Sequence, residues 1–205
     1  MKRGLLILML CMAFGLTLEG KTLRTDVPRV SFGVEWGYIA SFYNGHHNYF
    51  IAPEGYRVED KNSKAIFCSN GEVNLHAGCN LNEKWNMSLY VGYAGIGDYH
   101  TGLPVSLRMT RYFGADPMAD RWFAYCDLGS GISFKEHPQE LLTGKIGGGY
   151  RLSMSRYTKL DFIAALRFVH THPDVYHYNE TIEKHSINRN SGYLISASFG
   201  IGITF

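Results

Sequence analysis

Apolar and polar residues alternate through residues 193–205, which is the period-2 pattern of a β-strand whose two faces meet different surroundings. The polar face of this segment holds only small residues and no charge. One face carries Tyr193, Ile195, Ala197, Phe199, Ile201, Ile203 and Phe205, and the other carries Ser196, Ser198, Gly200, Gly202 and Thr204. We therefore predict a strand with one apolar and one small-residue face.

The same alternation recurs in earlier segments, so that eight strands are predicted in all. These segments cover residues 30–38, 72–81, 85–93, 103–110, 122–132, 142–152 and 160–168. Turn-like links fall at one end of an up-and-down sheet, and two long loops, 43–70 and 170–191, fall at the other end. The short links cover residues 82–84, 114–121 and 153–156. The predicted fold is all-β, an eight-stranded antiparallel up-and-down barrel.

The apolar face of the predicted strands is expected to meet lipid, because one charge, Arg111, falls on it. A charge in the middle of a bilayer costs about 2–4 kcal/mol, whereas a face in water would be rich in Lys and Glu. A soluble, lipocalin-like barrel with an apolar interior is therefore disfavoured. Aromatic residues beside the short links are predicted to form an interfacial girdle: Trp85, Phe113, Trp122, Tyr157 and Phe205.

Length and composition fit one domain that binds no nucleic acid. The chain has 205 residues, 45% of them hydrophobic and 14% aromatic, with 23 glycines and a formal net charge of +2. No apolar run beyond the first segment reaches the roughly 18 residues of a membrane-spanning helix. The four cysteines, Cys11, Cys68, Cys79 and Cys126, have no Cys-x-x-Cys spacing, so neither a zinc ribbon nor a disulfide framework is predicted.

The first 20 residues have the pattern of a secretory signal peptide. Lys2 and Arg3 precede an apolar run over residues 4–18, and Gly20 offers a small residue for cleavage. We predict a signal peptide over residues 1–20 and a barrel over residues 21–205. Lipid attachment at Cys11 is disfavoured because a bulky residue, Leu10, precedes it.

The segment from Arg29 to Phe205 resembles the small eight-stranded outer-membrane β-barrels of the OmpA and OmpX kind and their Bacteroidetes relatives. Members of that class characteristically end in Phe after alternating hydrophobic residues, a signal read by the barrel-assembly machinery. The matching positions here are Tyr193, Phe199, Ile201, Ile203 and Phe205. The resemblance implies the cell outer membrane as location, lipid and lipopolysaccharide as surroundings, and a monomeric barrel without a cofactor.

Charged residues on the small-residue faces are predicted to meet inside the barrel. The predicted polar network comprises Glu35, Glu72, His76, Arg108, Asp127, Lys145, Arg151, Asp161 and Arg167. Two interpretations stay open, a narrow pore gated by ion pairs and a fixed polar plug. The interior of an eight-stranded barrel is just wide enough for side chains to fill, which favours the plug.

Eight of the nine histidines fall outside the predicted strands, in loops at the long-loop end, and His76 is the exception. His170, His172 and His177 could contact a ligand or bind zinc or copper, since His-x-His on an extended chain points two rings to one side. Collection of histidine in polar loops is the simpler interpretation. No metal site is predicted on this basis.

We expect a binding or structural role at the cell surface rather than catalysis. The long loop 43–70 mixes aromatic residues with Asn, His and Gly, a composition typical of contact surfaces, although the aromatic side chains could equally hold the loop over the barrel mouth. Two alternatives are a narrow pore and a lipid A-modifying enzyme. Lipid A deacylases carry a His-x-Ser pair, which this sequence lacks.

Overall fold

The computed structural model describes residues 28–97, 100–114, 116–134, 139–172, 175–177, 180–182 and 184–205. The predicted signal peptide, Cys11 and His137 lie outside these residues. No helix in the described part of the chain is long and apolar enough to cross a membrane.

The chain folds into one closed antiparallel barrel of eight strands, which confirms the predicted fold. Its strands are β1 (Val30–Ile51), β2 (Arg57–Asn80), β3 (Trp85–Ile96), β4 (His100–Tyr112), β5 (Arg121–Phe134), β6 (Gln139–Ser153), β7 (Lys159–Thr171) and β10 (Ile187–Thr204). Each strand pairs with the next in this series, and β10 pairs with β1 to close the barrel. The link between β7 and β10 contains β8 (Tyr176–His177), β9 (Glu180–Thr181) and a 3-10 turn, Lys184–Ser186.

The alternation predicted from the sequence is present on every barrel strand, with apolar side chains outside. Trp36 on β1 is 71% exposed and Ile146 on β6 is 74% exposed. We call the outward-facing ring of such side chains the apolar belt. It comprises Val34, Trp36, Val73, Leu75, Leu89, Val91, Val105, Leu107, Leu128, Ile132, Leu142, Ile146, Phe162, Leu166, Phe168, Phe199 and Ile201.

The two ends of the barrel differ. At one end, which we call the turn end, lie the links 81–84, 113–120 and 154–158 together with residues 28 and 205. The predicted aromatic girdle and Arg111 lie there, with the Arg111 guanidinium 5.5 Å from the Trp85 ring centre and 5.7 Å from that of Phe113. The long stem of Arg111 can therefore reach the interface without crossing the belt.

The predicted loop 43–70 is wrong, because β1 and β2 continue through most of it and only residues 52–56 connect them. A β-bulge at Phe42 hides this continuation from a period-2 pattern. Ser41 pairs with Ser196 and Tyr43 with Ile195, so Phe42 is an extra residue in β1. One extra residue exchanges the two faces of a strand, and beyond the bulge residues 43–51 no longer alternate between apolar and polar.

The predicted loop 170–191 is wrong at both ends, since β7 continues to Thr171 and β10 begins at Ile187. The first part of β10 pairs with β1, from Ile187 opposite Phe50 to Tyr193 opposite Gly45. Residues 43–51, 57–65 and 187–193 thus form a three-stranded extension of the barrel wall, which we call the blade. The assignment of the histidines to loops fails for the same reason, because His46 and His47 lie in β1, His100 in β4 and His170 in β7.

Glycines in β1 make room for large polar side chains of β2 inside the barrel. A Cβ atom at Gly33 would lie 2.0 Å from the Ile203 carbonyl oxygen of β10 and 2.8 Å from His76 Cε1, and one at Gly37 would lie 3.2 Å from Glu72 Cγ. These two glycines therefore leave space for both neighbouring strands.

The belt predicts that stability depends on where an outward charge is placed. Leu107→Arg puts a guanidinium between Leu89 and Leu128 in the middle of the belt, and we expect it to lower the free energy of unfolding by about 2–4 kcal/mol. Met154→Arg, in the turn-end link where Met154 is 68% exposed, should cost about 0–1 kcal/mol. Urea titration of the refolded protein in phospholipid vesicles measures both, and equal losses would contradict a lipid-facing belt.

Candidate functional site

All nine residues of the predicted polar network point into the barrel interior. Arg151 is half-buried, and the other eight, Glu35, Glu72, His76, Arg108, Asp127, Lys145, Asp161 and Arg167, are buried. The structure divides them into three groups along the barrel axis.

Arg108 on β4 is the centre of the middle group. Its Nη1 donates to Glu35 Oε2 at 2.6 Å and its Nη2 to Asp127 Oδ2 at 3.1 Å. The guanidinium lies 3.8 Å from the ring centre of Tyr90 and 4.1 Å from that of Tyr125. With two carboxylates and two aromatic faces around it, the charge of Arg108 is compensated despite its removal from water.

Arg151 and Asp161 form the group nearest the turn end. Two parallel hydrogen bonds join them, each of 2.6 Å, from Arg151 Nε and Nη2 to the two carboxylate oxygens. The Tyr112 ring packs between two guanidinium groups, 4.6 Å from that of Arg151 and 4.0 Å from that of Arg121. Arg121 also donates to the carbonyl oxygen of Glu83 at 2.8 Å, which ties this group to the link between β2 and β3.

His76 connects the middle group to the group at the turn end. Its ring stacks on Tyr90 with 4.8 Å between the ring centres. On its other side, His76 Nε2 lies 3.4 Å from Thr204 Oγ1, which also lies 3.4 Å from Asp161 Oδ2.

Lys145 and Arg167 form the third group, toward the blade. Lys145 Nζ donates to Glu72 Oε2 at 2.7 Å. Arg167 is 1% exposed, and its Nη1 donates to the carbonyl oxygen of Gly95 at 2.9 Å.

Within the described part of the chain, two cavities lie among these side chains, and each is about the size of a water molecule. One of about 20 Å³ lies on the turn-end side of Arg108 and is lined by Glu35, His76 and Asp161. The other, of about 10 Å³, is lined by Asn74, Thr143 and Arg167. A single water needs roughly 10–15 Å³ of such space, and Arg108 and Tyr90 line both cavities and stand between them.

An apolar layer closes the interior toward the blade. Its side chains are Ile96, Leu141, Val169 and Leu194, with Ile66 packed against them. Val169 is completely buried. Apart from these two cavities, the interior is filled by ion pairs, the guanidinium of Arg167 on its carbonyl acceptor, aromatic rings and aliphatic side chains.

Sequence reasoning missed the apolar layer and most of the aromatic partners of the arginines. Tyr112, Phe123, Tyr125 and Ile163 form a buried cluster inside the barrel. A signal for all four was present, because Phe123 and Tyr125 share the parity of Asp127 on β5, Tyr112 shares that of Arg108 on β4, and Ile163 shares that of Asp161 on β7. In the apolar layer, Leu194 shares the parity of Ser196 on β10, whereas Ile96, Leu141 and Val169 lie just beyond the segments with clear alternation.

Side-chain contacts hold the blade together beyond the barrel. Cross-strand hydrogen bonds join His46 Nε2 to Asp60 Oδ2 at 3.0 Å and His47 Nε2 to Glu59 Oε1 at 2.9 Å. A small core packs at its tip, formed by Phe50, Val175 and Ile182 with Val58 and Ile187 against them.

The three histidines considered for a metal are in two places. His170 and His172 are adjacent, with 5.0 Å between their ring centres. His177 instead packs at the blade tip, where its Nε2 lies 3.0 Å from Tyr56 Oη and its ring 5.6 Å from that of Phe50. Among the described residues, no group of three or more His, Cys, Asp and Glu side chains is arranged to hold a metal ion.

The residues of the predicted assembly signal face outward along β10. Phe205 forms two backbone hydrogen bonds with Phe32, of 3.1 and 2.8 Å, and their rings lie 6.1 Å apart. The last residues of the chain therefore help close the barrel against β1. Recognition of Tyr193, Phe199, Ile201, Ile203 and Phe205 by the assembly machinery stays a prediction.

No family model and no curated protein matches the chain. Solved structures of outer-membrane proteins show a remote likeness. OprG from Pseudomonas aeruginosa is 11% identical with a TM-score of 0.49, over 89% of this chain and 99% of that one. Neisserial surface protein A is 9% identical with a TM-score of 0.45, over 85% and 97%. The outer membrane protease OmpT from Escherichia coli is 9% identical with a TM-score of 0.39, over 90% and 99%.

The class of the protein follows from its own geometry. A closed barrel leaves no strand edge unpaired in lipid, and the apolar belt supplies the lipid-facing surface. The chain therefore has the architecture of an eight-stranded transmembrane β-barrel, with an apolar belt outside and a polar interior.

The middle group predicts a stability difference between two arginines of one strand. Arg108→Ala leaves Glu35 and Asp127 buried without their cation, and we expect a loss of about 3–5 kcal/mol in the free energy of unfolding. Arg111→Ala removes an exposed guanidinium three positions along β4 and should cost under about 1 kcal/mol. Urea unfolding in vesicles compares the two, and a mild effect of Arg108→Ala would show that its charge is not structural.

Proposed function

We propose that this protein is a non-conducting outer-membrane anchor that presents the blade as a contact surface outside the cell. The observation that carries the proposal is the continuation of β1 beyond the apolar belt. Residues 43–51 add about nine residues, or roughly 30 Å of strand at about 3.3 Å per residue. A span of about 9–11 residues suffices to cross the membrane, so this length serves something else.

The filled interior supports an anchoring role rather than transport. Ion pairs centred on Arg108, Lys145 and Arg151 are buried, and the apolar layer lies above them. An ion crossing the barrel would have to separate these pairs and then enter an aliphatic constriction. Both steps are unfavourable, which argues for the plug.

The blade surface has the chemistry of a protein or glycan contact. Arg57, Lys61 and Lys64 are exposed on β2, while the acidic side chains beside them, Glu59 and Asp60, are bonded to histidines of β1. Exposed cations favour an anionic partner through charge complementarity. Since the strands that carry them are already ordered, little backbone conformational entropy is lost on binding.

The orientation follows the usual asymmetry of this class, with short turns in the periplasm and longer elements outside. In this arrangement the girdle contacts the inner interface, and the belt contacts lipid and lipopolysaccharide acyl chains. The barrel-assembly machinery is the partner expected for insertion, and we propose a monomer because the barrel closes within one chain.

The plug predicts an absence of steady current in planar bilayers. The refolded mature protein should show no stepwise channels, while a porin of 16 strands reconstituted in the same way should conduct. A heat-modifiable gel shift confirms that the barrel is folded. Steady channels whose conductance changes on Arg108→Glu or Arg167→Glu would overturn the plug and make the interior the functional site.

The blade predicts a charge-dependent contact. Cells that display the protein should bind one or more members of an array of immobilised matrix proteins and anionic glycans. Arg57→Glu combined with Lys61→Glu should weaken that binding about tenfold or more, which corresponds to about 1.4 kcal/mol. The matched control is Lys84→Glu with Arg156→Glu, which reverses two exposed charges at the turn end.

Equal binding by the blade variant and the control variant would contradict the blade as the contact surface. Absence of binding to every array member by the wild type would contradict the surface role itself.

A further inference from the structure

Two residues from different strands form a serine–histidine pair at the blade end of the barrel. His170 lies near the end of β7, and Ser191 lies on β10, where the register pairs His170 with Tyr193. A hydrogen bond of 3.0 Å joins His170 Nε2 to Ser191 Oγ. Both residues are half-buried, so the pair is supported by its surroundings and still open on one side.

The pair is on the outer face of the barrel. Val169 and Leu194 point inward into the apolar layer, so their neighbours His170, Tyr193 and Ser191 have the outward parity. On the same face, Leu142 of β6 pairs directly with His170, and Phe168 lies two residues before His170 on β7; both belong to the apolar belt. The pair is therefore at the rim of the belt, where acyl chains meet their polar headgroups.

His170 is oriented by more than its bond to serine. The His172 ring meets it edge-on, at an interplanar angle of 86° and 5.0 Å between ring centres. On the neighbouring strand β6, Leu141 pairs with Thr171. The preceding residue of β6, Glu140, therefore lies opposite His172 on the outer face. It supplies a carboxylate at this edge of the barrel.

We propose that Ser191 and His170 form an interfacial esterase site that cleaves long-chain acyl esters of membrane lipids. A serine hydroxyl bonded to an imidazole is the arrangement that produces a nucleophile at neutral pH. The hydroxyl donates to the unprotonated Nε2 of His170, while His172 acts as a positioning residue. The location at the belt rim brings an ester carbonyl to Ser191 while its acyl chain lies along Phe168.

The reaction uses water as its only co-reactant. Ser191 Oγ attacks the ester carbonyl carbon, His170 Nε2 accepts the hydroxyl proton, and the same nitrogen returns that proton to the leaving alcohol. The acyl group is then an ester of Ser191. A water molecule attacks this ester, with His170 accepting and returning its proton, which releases the fatty acid and restores the hydroxyl.

Ser191 belongs to the β10 part of the blade, whereas the contact role is tested at Arg57 and Lys61 of β2, so different residues test the two roles. The pair is also invisible to a search for His-x-Ser, because its two residues are 21 positions apart and meet through strand pairing.

The test is acyl release by the folded, full-length barrel in detergent micelles. One arm offers phosphatidylethanolamine and the other offers lipopolysaccharide, with mass spectrometry of the products. In parallel, a fluorophosphonate probe tests for an activated serine, and peptide mapping locates the label. Ser191→Ala is compared with Ser130→Ala, which removes an exposed, outward serine of β5.

We expect release in at least one arm and label on Ser191, with the active arm identifying the lipid source. Ser191→Ala should reduce release to that of micelles without protein, His170→Asn should lower it by about 100-fold, and Ser130→Ala should leave it unchanged. Release that persists in Ser191→Ala would overturn the proposal. So would a heat-modifiable, folded wild type that neither releases acid nor labels at Ser191, and this outcome does not depend on how the variants fold.

Discussion

The buried cation of Arg108 is the interaction on which the rest of the barrel depends. A guanidinium without water is tolerated only when counter-charges and hydrogen-bond acceptors surround it. Glu35 on β1 and Asp127 on β5 supply the charges, and Tyr90 on β3 and Tyr125 on β5 supply ring faces. One side chain thus ties together four strands that enclose the interior, and it sets the distance across which they face one another.

The outer and inner faces of the barrel wall require different kinds of residue, and for this reason the fold could be predicted from the sequence. Outside, lipid excludes charge, so positions such as Trp36, Leu107 and Ile146 are apolar. Inside, the narrow interior requires a small residue wherever a neighbouring side chain is large, and Gly33 beside His76 is an example. Alternation of the two requirements gives the period-2 pattern, and it predicted both the strands and the inward charges.

Beyond the apolar belt, period-2 alternation no longer marks the strands, and the sequence-based predictions failed there. Beyond the bulge at Phe42 the faces of β1 are exchanged, and residues 43–51 show no apolar alternation although they stay paired with β10, with a second register shift between Tyr49 and Phe50. The apolar layer at Val169 and Leu194 and the pairing of His170 with Ser191 depend on register between strands. Register is a property of two segments at once, which no single-segment pattern contains.

The seam between β1 and β10 joins the first strand to the last and runs without a gap in sheet from Phe32 at the turn end to Phe50 at the blade tip. The blade therefore shares its hydrogen-bond ladder with the strand pair β1–β10 that closes the barrel. Before β10 has paired with β1, the blade lacks one of its three strands. The blade can therefore reach its final shape only after β10 has paired with β1 and the barrel has closed.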